Sequence, residues 1–329
     1  MFSHVVPKTY LKKWEIEDYK DKIYIFKKDE IQKPIRKKLD DLNHTDFGYN
    51  NYYYLKIENC NYPIFDSMFN DLLNELNRKY IFKLNKCILT QPGIFRIAYL
   101  SNNDSIKVIQ KNNNKEIKIK SILTDINNYW RDTQKKYIEQ FFSKEIENDW
   151  NKIVKNISEI ASNQIKNFNI IEKEKFILFI AVQMSRSHKL HNEIINKLLC
   201  DENLKKEFLI AHIYKFIKIY NKEQEESNDN IIYCRYKELL KSKLNITILK
   251  TNNNFIVSDN PINYYLYNKK KSYLIPINIK ICIIIQLDKK DNISVNCISE
   301  KETRDINNFL LSNCISHVGF FKDSISNEI

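Results

Sequence analysis

The chain is nearly without glycine. Only Gly48, Gly93 and Gly319 occur among 329 residues. A Walker-type phosphate loop and a dinucleotide-binding fingerprint both need clustered glycines for close backbone approach, so both are excluded. The GxSxG nucleophile elbow is excluded for the same reason. Arginine is scarce: seven of the 53 basic residues, the rest being lysine. The seven cysteines, Cys60, Cys87, Cys200, Cys234, Cys282, Cys297 and Cys314, form no CxxC pair and no zinc-spaced set with histidine. The longest apolar runs, Phe176–Met184 and Ile279–Leu287, are less than half of the roughly 20 residues that span a bilayer.

What remains is a globular composition, 43% hydrophobic and 29% charged, suited to one large domain or two ordinary ones. The net charge of +12 favours a polyanionic partner. Part of it is discounted, because abundant Lys, Asn, Ile and Tyr are what AT-rich coding produces. The few arginines gain interest by the same argument: lysine supplies plain charge, and only arginine supplies a planar fork. The cysteines are expected to be reduced and mostly buried, in a cytoplasmic protein. Met1–Trp14 has no apolar leader, so no secretory signal is expected, and no membrane partner.

Local patterns predict an α+β chain: a small mixed N-terminal part, a central helical bundle and a β-rich end. Pro7 opens a short helix whose Tyr10, Leu11 and Trp14 share a face. Lys22–Lys28 alternates as a strand, and Tyr49–Ile57 is a tyrosine-rich strand candidate. Phe65–Leu84 has helical spacing, and Ser101–Lys120 reads as a loop or hairpin with Asn112–Asn114 at its tip. Ser121 to Tyr220 is helical almost throughout, and a short helix near Ile231–Leu244 follows. Strands are expected at Ile246–Leu249, Phe255–Val257, Ile279–Leu287 and Ile293–Cys297. Ser299 and Glu302 form a capping box that opens a last helix, and Val318–Phe321 is a last strand. The corresponding parts are 1–120, with an insertion at 62–120, then 121–244 and 245–329, expected to form one compact unit.

Three constellations carry chemical interest. His4 stands just ahead of Pro7; a histidine there serves as acid, base or ligand, or simply packs on the first helix. Gln183 and Arg186 lie three apart on one face of a helix that is otherwise apolar over Phe176–Met184. A buried glutamine needs partners, and the arginine fork suits phosphate or a structural carboxylate. His188 and His191 are similarly spaced but lack a third ligand nearby. Ser258-Asp259-Asn260-Pro261 ends a strand in a turn. Its polar side chains either close the turn locally or point into a cleft.

The order His4-x-x-Pro7-x-x-Tyr10-Leu11-x-x-Trp14, Gln183-x-x-Arg186 and Ser258-Asp259-Asn260-Pro261 extends over almost the whole chain. It resembles the bacterial domain-of-unknown-function family 4238. The family's arginine is usually followed by Thr or Ser and then Pro, whereas here Arg186-Ser187 is followed by His188. The resemblance implies that His4, Gln183, Arg186 and Asp259 form one site, with Tyr10, Ser258 and Asn260 beside it. It implies no activity.

Two functions are therefore expected as alternatives. One is a nuclease-like hydrolase of RNA or DNA, of the toxin or antiphage-effector kind. His4 would handle the proton, Arg186 the phosphate charge, and Asp259 would orient the histidine or hold a divalent metal. No cofactor is otherwise indicated. The other is a non-catalytic nucleic-acid- or protein-binding module whose polar cluster is structural.

Overall fold

The computed structural model describes residues 3–4, 8–16, 19–28, 35–39, 48–49, 57, 65–100, 105–134, 137–138, 140–163, 170–186, 202–223, 225–226, 230–314 and 317–320. Helices and antiparallel or mixed sheets make an α+β fold. Two compact units form it, one from 1–50, 143–198 and 231–329, the other from 51–142 and 199–230.

The first unit opens with β1 (Ser3–His4), α1 (Lys8–Leu11) and a 3-10 turn at Lys12–Trp14. As the sequence predicts, Tyr10, Leu11 and Trp14 are all fully buried. Next come β2 (Lys22–Lys27), β3 (Ile35–Lys38) and β4 (Gly48–Tyr49). The strand candidate at Tyr49–Ile57 lies outside the described residues apart from its two ends.

The second unit contains α2 (Asp66–Leu76), β5 (Tyr80–Leu84), β6 (Cys87–Ile88), α3 (Pro92–Leu100), β7 (Ile106–Gln110), β8 (Glu116–Lys118) and α4 (Leu123–Gln134). The helical reading of Phe65–Leu84 thus needs correcting. The helix stops at Leu76, and Tyr80–Leu84 pairs with β7. Helical spacing ends there, and the tyrosine, isoleucine and phenylalanine at 80–82 suit a half-buried strand. Ser101–Lys120 does supply a hairpin, β7 with β8, whose tip residue Asn114 takes a positive φ of 54°. The Glu202–Tyr220 helix completes this unit.

Back in the first unit, α5 (Asn148–Ala161) and α6 (Ile170–Arg186) pack on each other, and α6 packs on the Ile231–Lys241 helix. The strands are β9 (Lys243–Lys250), β10 (Val257–Ser258), β11 (Asn263–Tyr267), β12 (Lys270–Asn278), β13 (Ile281–Asp288), β14 (Asn292–Cys297) and β15 (His317–Phe320). One sheet runs β11-β12-β13-β9-β14 and another β10-β15-β2-β3. β14 runs parallel to β9, while the other pairs are antiparallel. The Glu300–Asn313 helix begins with the expected capping box: Glu302 N–H donates to Ser299 Oγ at 3.2 Å, and Ser299 N–H donates to the Glu302 carboxylate at 2.8 Å. The Ser299 donors hold the Glu302 carboxyl below its ordinary value. Their contribution is therefore present above the unfolded carboxylate's pKa and is lost as pH falls through the lower folded value.

The strands β11 and β12 carry no expectation from sequence, and the missing glycine explains why. Two-residue hairpins of type I′ need positive φ at both turn positions, normally signalled by Asn-Gly. Here Asn268 and Lys269 adopt φ of 49° and 63°, and Asn85 and Lys86 adopt 51° and 72°. Asn-Lys fills the role of Asn-Gly, with a lysine in the left-handed region. That conformation costs a non-glycine residue on the order of 1 kcal/mol. Lys269→Gly should therefore raise the melting temperature by about 1 °C at most, because glycine also adds unfolded-chain entropy. A lower melting temperature would show that the turn is not strained.

The cysteine expectation also needs correcting. Among the described residues Cys282 and Cys314 are buried, but Cys87 and Cys297 are exposed and Cys234 is intermediate; Cys60 and Cys200 lie outside them. Cys87 follows a hairpin turn, and Cys297 ends the edge strand β14. No helix among the described residues is long and apolar enough to cross a membrane.

Candidate functional site

The three motif segments are placed by long-range contacts rather than by local structure. The first is held at both ends. β1 pairs with β4, setting His4 opposite Gly48, so the residue facing His4 across the pair carries no side chain. At the other end α1 and the 3-10 turn after it place Tyr10 and Trp14 in the core. The Tyr10 hydroxyl donates to the Pro276 carbonyl in β12. Trp14 Nε1 donates to the Phe255 carbonyl at 2.9 Å. The Tyr10 ring lies 5.3 Å from Trp14, 5.2 Å from Trp150 and 6.0 Å from Phe179, centroid to centroid. Burial pushes the Tyr10 phenol well above its ordinary value, and the Cys282 thiol adds to the effect. Tyr10 therefore remains a neutral donor within the core, not a residue on a solvent-lined wall.

The second segment is α6. Phe179 stacks on Trp150 at 4.1 Å with 24° between the rings. One turn later, on the same face, comes Gln183, 2% exposed and partnered. Arg186 closes the helix three residues on. The backbones of His4 and Arg186 are described, but their side chains lie outside the described residues, as do His188 and His191 entirely. Trp150 is fully buried, and its Nε1 finds no acceptor among the described residues. A buried donor without a partner is uncommon in a folded protein.

The third segment is the turn after β10. Ser258 Oγ donates to the Asn260 carbonyl at 2.8 Å and accepts from Asn260 N–H at 3.3 Å. Asn260 Nδ2 donates to Asn263 Oδ1, and Asn263 Nδ2 donates back to the Asn260 carbonyl, both at 2.6 Å. All three are buried, and Asp259 is 8% exposed and partnered. The side chains of Ser258 and Asn260 thus close the turn on itself. Proline at 261 and Asn263 at the head of β11 complete it.

The preceding stretch is extended but only briefly paired. Strand pairing covers Val257–Ser258 and leaves out Phe255 and Ile256, which shifts the strand expected at Phe255–Val257. Phe255 N–H donates to the Ile279 carbonyl at 2.8 Å, and Ile256 N–H donates to Asn307 Oδ1 at 3.2 Å. Asn307 Nδ2 donates in turn to the Asn254 carbonyl at 2.9 Å. Asn307 is fully buried. It is a side-chain clamp, one residue after Ile306 on the inward face of the Glu300–Asn313 helix. Sequence reading gave it no role, although an asparagine amid the inward positions of an amphipathic helix was a usable signal.

Tyr10 and Trp14 thus contact segments that adjoin the other two motifs. Trp14 holds the backbone three residues before Ser258. Tyr10 touches α6 one turn before Gln183 and binds β12, the strand paired with Asn263 through Leu274. The Tyr10 hydroxyl and Trp14 Nε1 are bonded to protein, whereas the buried Trp150 Nε1 has no acceptor among the described residues. Among the described residues no group of three or more His, Cys, Asp or Glu side chains is arranged to hold a metal ion.

Comparison with curated proteins and with solved structures finds no match. The family model described as Protein of unknown function (DUF4238) matches residues 3–324, nearly the whole chain and all three motif segments, and the chain therefore belongs to that family.

Proposed function

We propose that the protein acts on nucleic acid as a phosphodiester hydrolase, with His4, Gln183, Arg186 and Asp259 as its working residues. The observation that supports a single site is the junction at Tyr10 and Trp14, which joins segments 241 and 266 positions apart by buried hydrogen bonds. In this reading His4 moves the proton, Arg186 neutralises phosphate charge, and Asp259 orients the histidine or holds a divalent metal. The unpartnered Trp150 Nε1 supplies a donor at the same junction. A toxin or antiphage role belongs to the same proposal. The test is cleavage of a mixed RNA and DNA pool with and without divalent metal. Absence of cleavage under every condition would end the hydrolase reading.

A second reading is favoured by a different observation. Ser258, Asn260 and Asn263 are buried and satisfy one another, as a structural polar core would. The protein would then bind nucleic acid or a protein without chemistry. Binding to single strands should fall with salt, with a log–log slope of roughly −0.7 per phosphate contact. A flat salt response measured by fluorescence anisotropy would mean that the +12 charge is mere surface.

Arg186→Lys separates charge from geometry. Lysine keeps the charge and loses the bidentate fork. Activity should fall about tenfold or more with the variant, since a charge-assisted pair contributes about 1.5–3 kcal/mol. Full activity together with an unchanged melting temperature would remove Arg186 from the site.

A further inference from the structure

The five-stranded sheet has two edges of opposite character. β14 at one edge reads Asn-Ile-Ser-Val-Asn-Cys. β11 at the other reads Asn-Tyr-Tyr-Leu-Tyr and is strand-paired with β12 alone among the described residues. Edge strands are normally blunted by charge, proline or a bulge, because an open row of N–H and C=O groups invites another strand. β11 contains none of these within Asn263–Tyr267. Its outward residues are instead large and apolar: Tyr264 is 50% exposed and Leu266 68%.

A groove of about 720 Å³ adjoins this edge, lined by Tyr264, Tyr265, Leu266, Lys271 and Phe309. Successive strand residues point to opposite faces, so a groove lined by Tyr264, Tyr265 and Leu266 draws on both faces of the edge strand. Tyr265 forms its helix-side wall, edge-on to Phe309 at 4.8 Å. The shape and the unused backbone groups suit an extended polypeptide.

Charge narrows the occupant. Lys269, Lys270 and Lys271 are clustered at the hairpin end, and Lys271 pairs across from Leu266 and lines the groove. On the helix side Asp305 and Glu302 act on Tyr265. The groove is therefore basic at its hairpin end and not along its length. A polyanion with a phosphate at every step would meet those carboxylates. Arg235, the nearby fork, is already shared among Glu238, Tyr273 and Tyr264 at 2.9, 3.0 and 3.2 Å. A second copy would bring its own +12 charge.

We propose that the open edge of β11 docks an extended segment of a partner protein, apolar at alternate positions and carrying carboxylates where it meets Lys269–Lys271. The site is independent of the hydrolase reading. The test uses the full chain and two fluorescent peptides of about eight residues, enough for one strand. Each alternates valine and threonine, with two aspartates at one end or the other. One should bind saturably. Leu266→Glu should weaken it by roughly tenfold or more, as expected when an apolar contact is replaced by a charge. Lys271→Glu should weaken the acidic peptide more than a peptide with asparagines in place of the aspartates. Leu266 is largely exposed, so the melting temperature should stay unchanged and vouch for the fold. The proposal is overturned if neither peptide saturates, or if both variants bind as the wild type does. It is also overturned if a single-stranded oligonucleotide displaces the peptide from this groove, or if sedimentation shows a dimer that Leu266→Glu dissolves.

Discussion

Replacing His4 with alanine should abolish cleavage of the nucleic-acid pool and leave the melting temperature where it was. His4 belongs to a two-residue strand that pairs through its backbone with Gly48 and Tyr49, and alanine keeps that pairing. Removing a positioned proton-transfer group lowers rate by about 10²–10⁴, whereas a packing histidine would lose stability in step with function. The measurement is therefore paired, cleavage beside thermal melting. A variant that still cleaves at the wild-type rate removes His4 from the chemistry. A variant that loses both together makes it structural.

Trp14→Ala should have the largest effect on stability, about 3–5 kcal/mol by chemical denaturation, as for other buried Trp and Phe truncations. Trp14 is fully buried, packs on Tyr10 at 5.3 Å and satisfies the Phe255 carbonyl. Truncation leaves a cavity and a buried acceptor without its donor, and the second effect alone is worth about 1–3 kcal/mol. Trp14→Phe isolates that second effect, since the ring is largely kept. Because Phe255 leads directly into the Ser258–Pro261 turn, both variants should also disturb any function of that turn. A loss below about 1 kcal/mol in Trp14→Ala would show that the junction does not hold the segments together.

Trp14→Phe and His4→Ala thus report on different things, scaffold and chemistry. If the hydrolase reading holds, activity should fall in both, but the melting temperature in only one. If the binding-module reading holds, neither cleaves, and the Trp14 variants alone lose nucleic-acid affinity as the turn loosens.

Features governed by neighbours in sequence were legible from sequence. The Ser299–Glu302 box opens its helix as expected because both partners lie within one turn. The buried face of Tyr10, Leu11 and Trp14 followed from spacing alone, as did β2 and β13. Family membership was legible too: the resemblance named from sequence is to the family whose model matches residues 3–324. The misread parts were those where a local signal had been replaced or had changed midway. Helical spacing through Phe65–Leu76 carried the reading past the turn into β5. β11 and β12 went unseen because Asn268 and Lys269 occupy left-handed positions that glycine usually announces.

What the motifs do to one another was decided only in three dimensions. Trp14 meets Phe255 across 241 positions, and Tyr10 meets Pro276 across 266. No periodicity encodes such a pairing, because it depends on which buried donor finds which buried carbonyl once the sheets have formed. The turn residues show the same division. Their identity made them candidates for chemistry or for turn closure alike. The fold chose closure for Ser258 and Asn260 by burying them beside Asn263, where each polar group had to be satisfied within the protein.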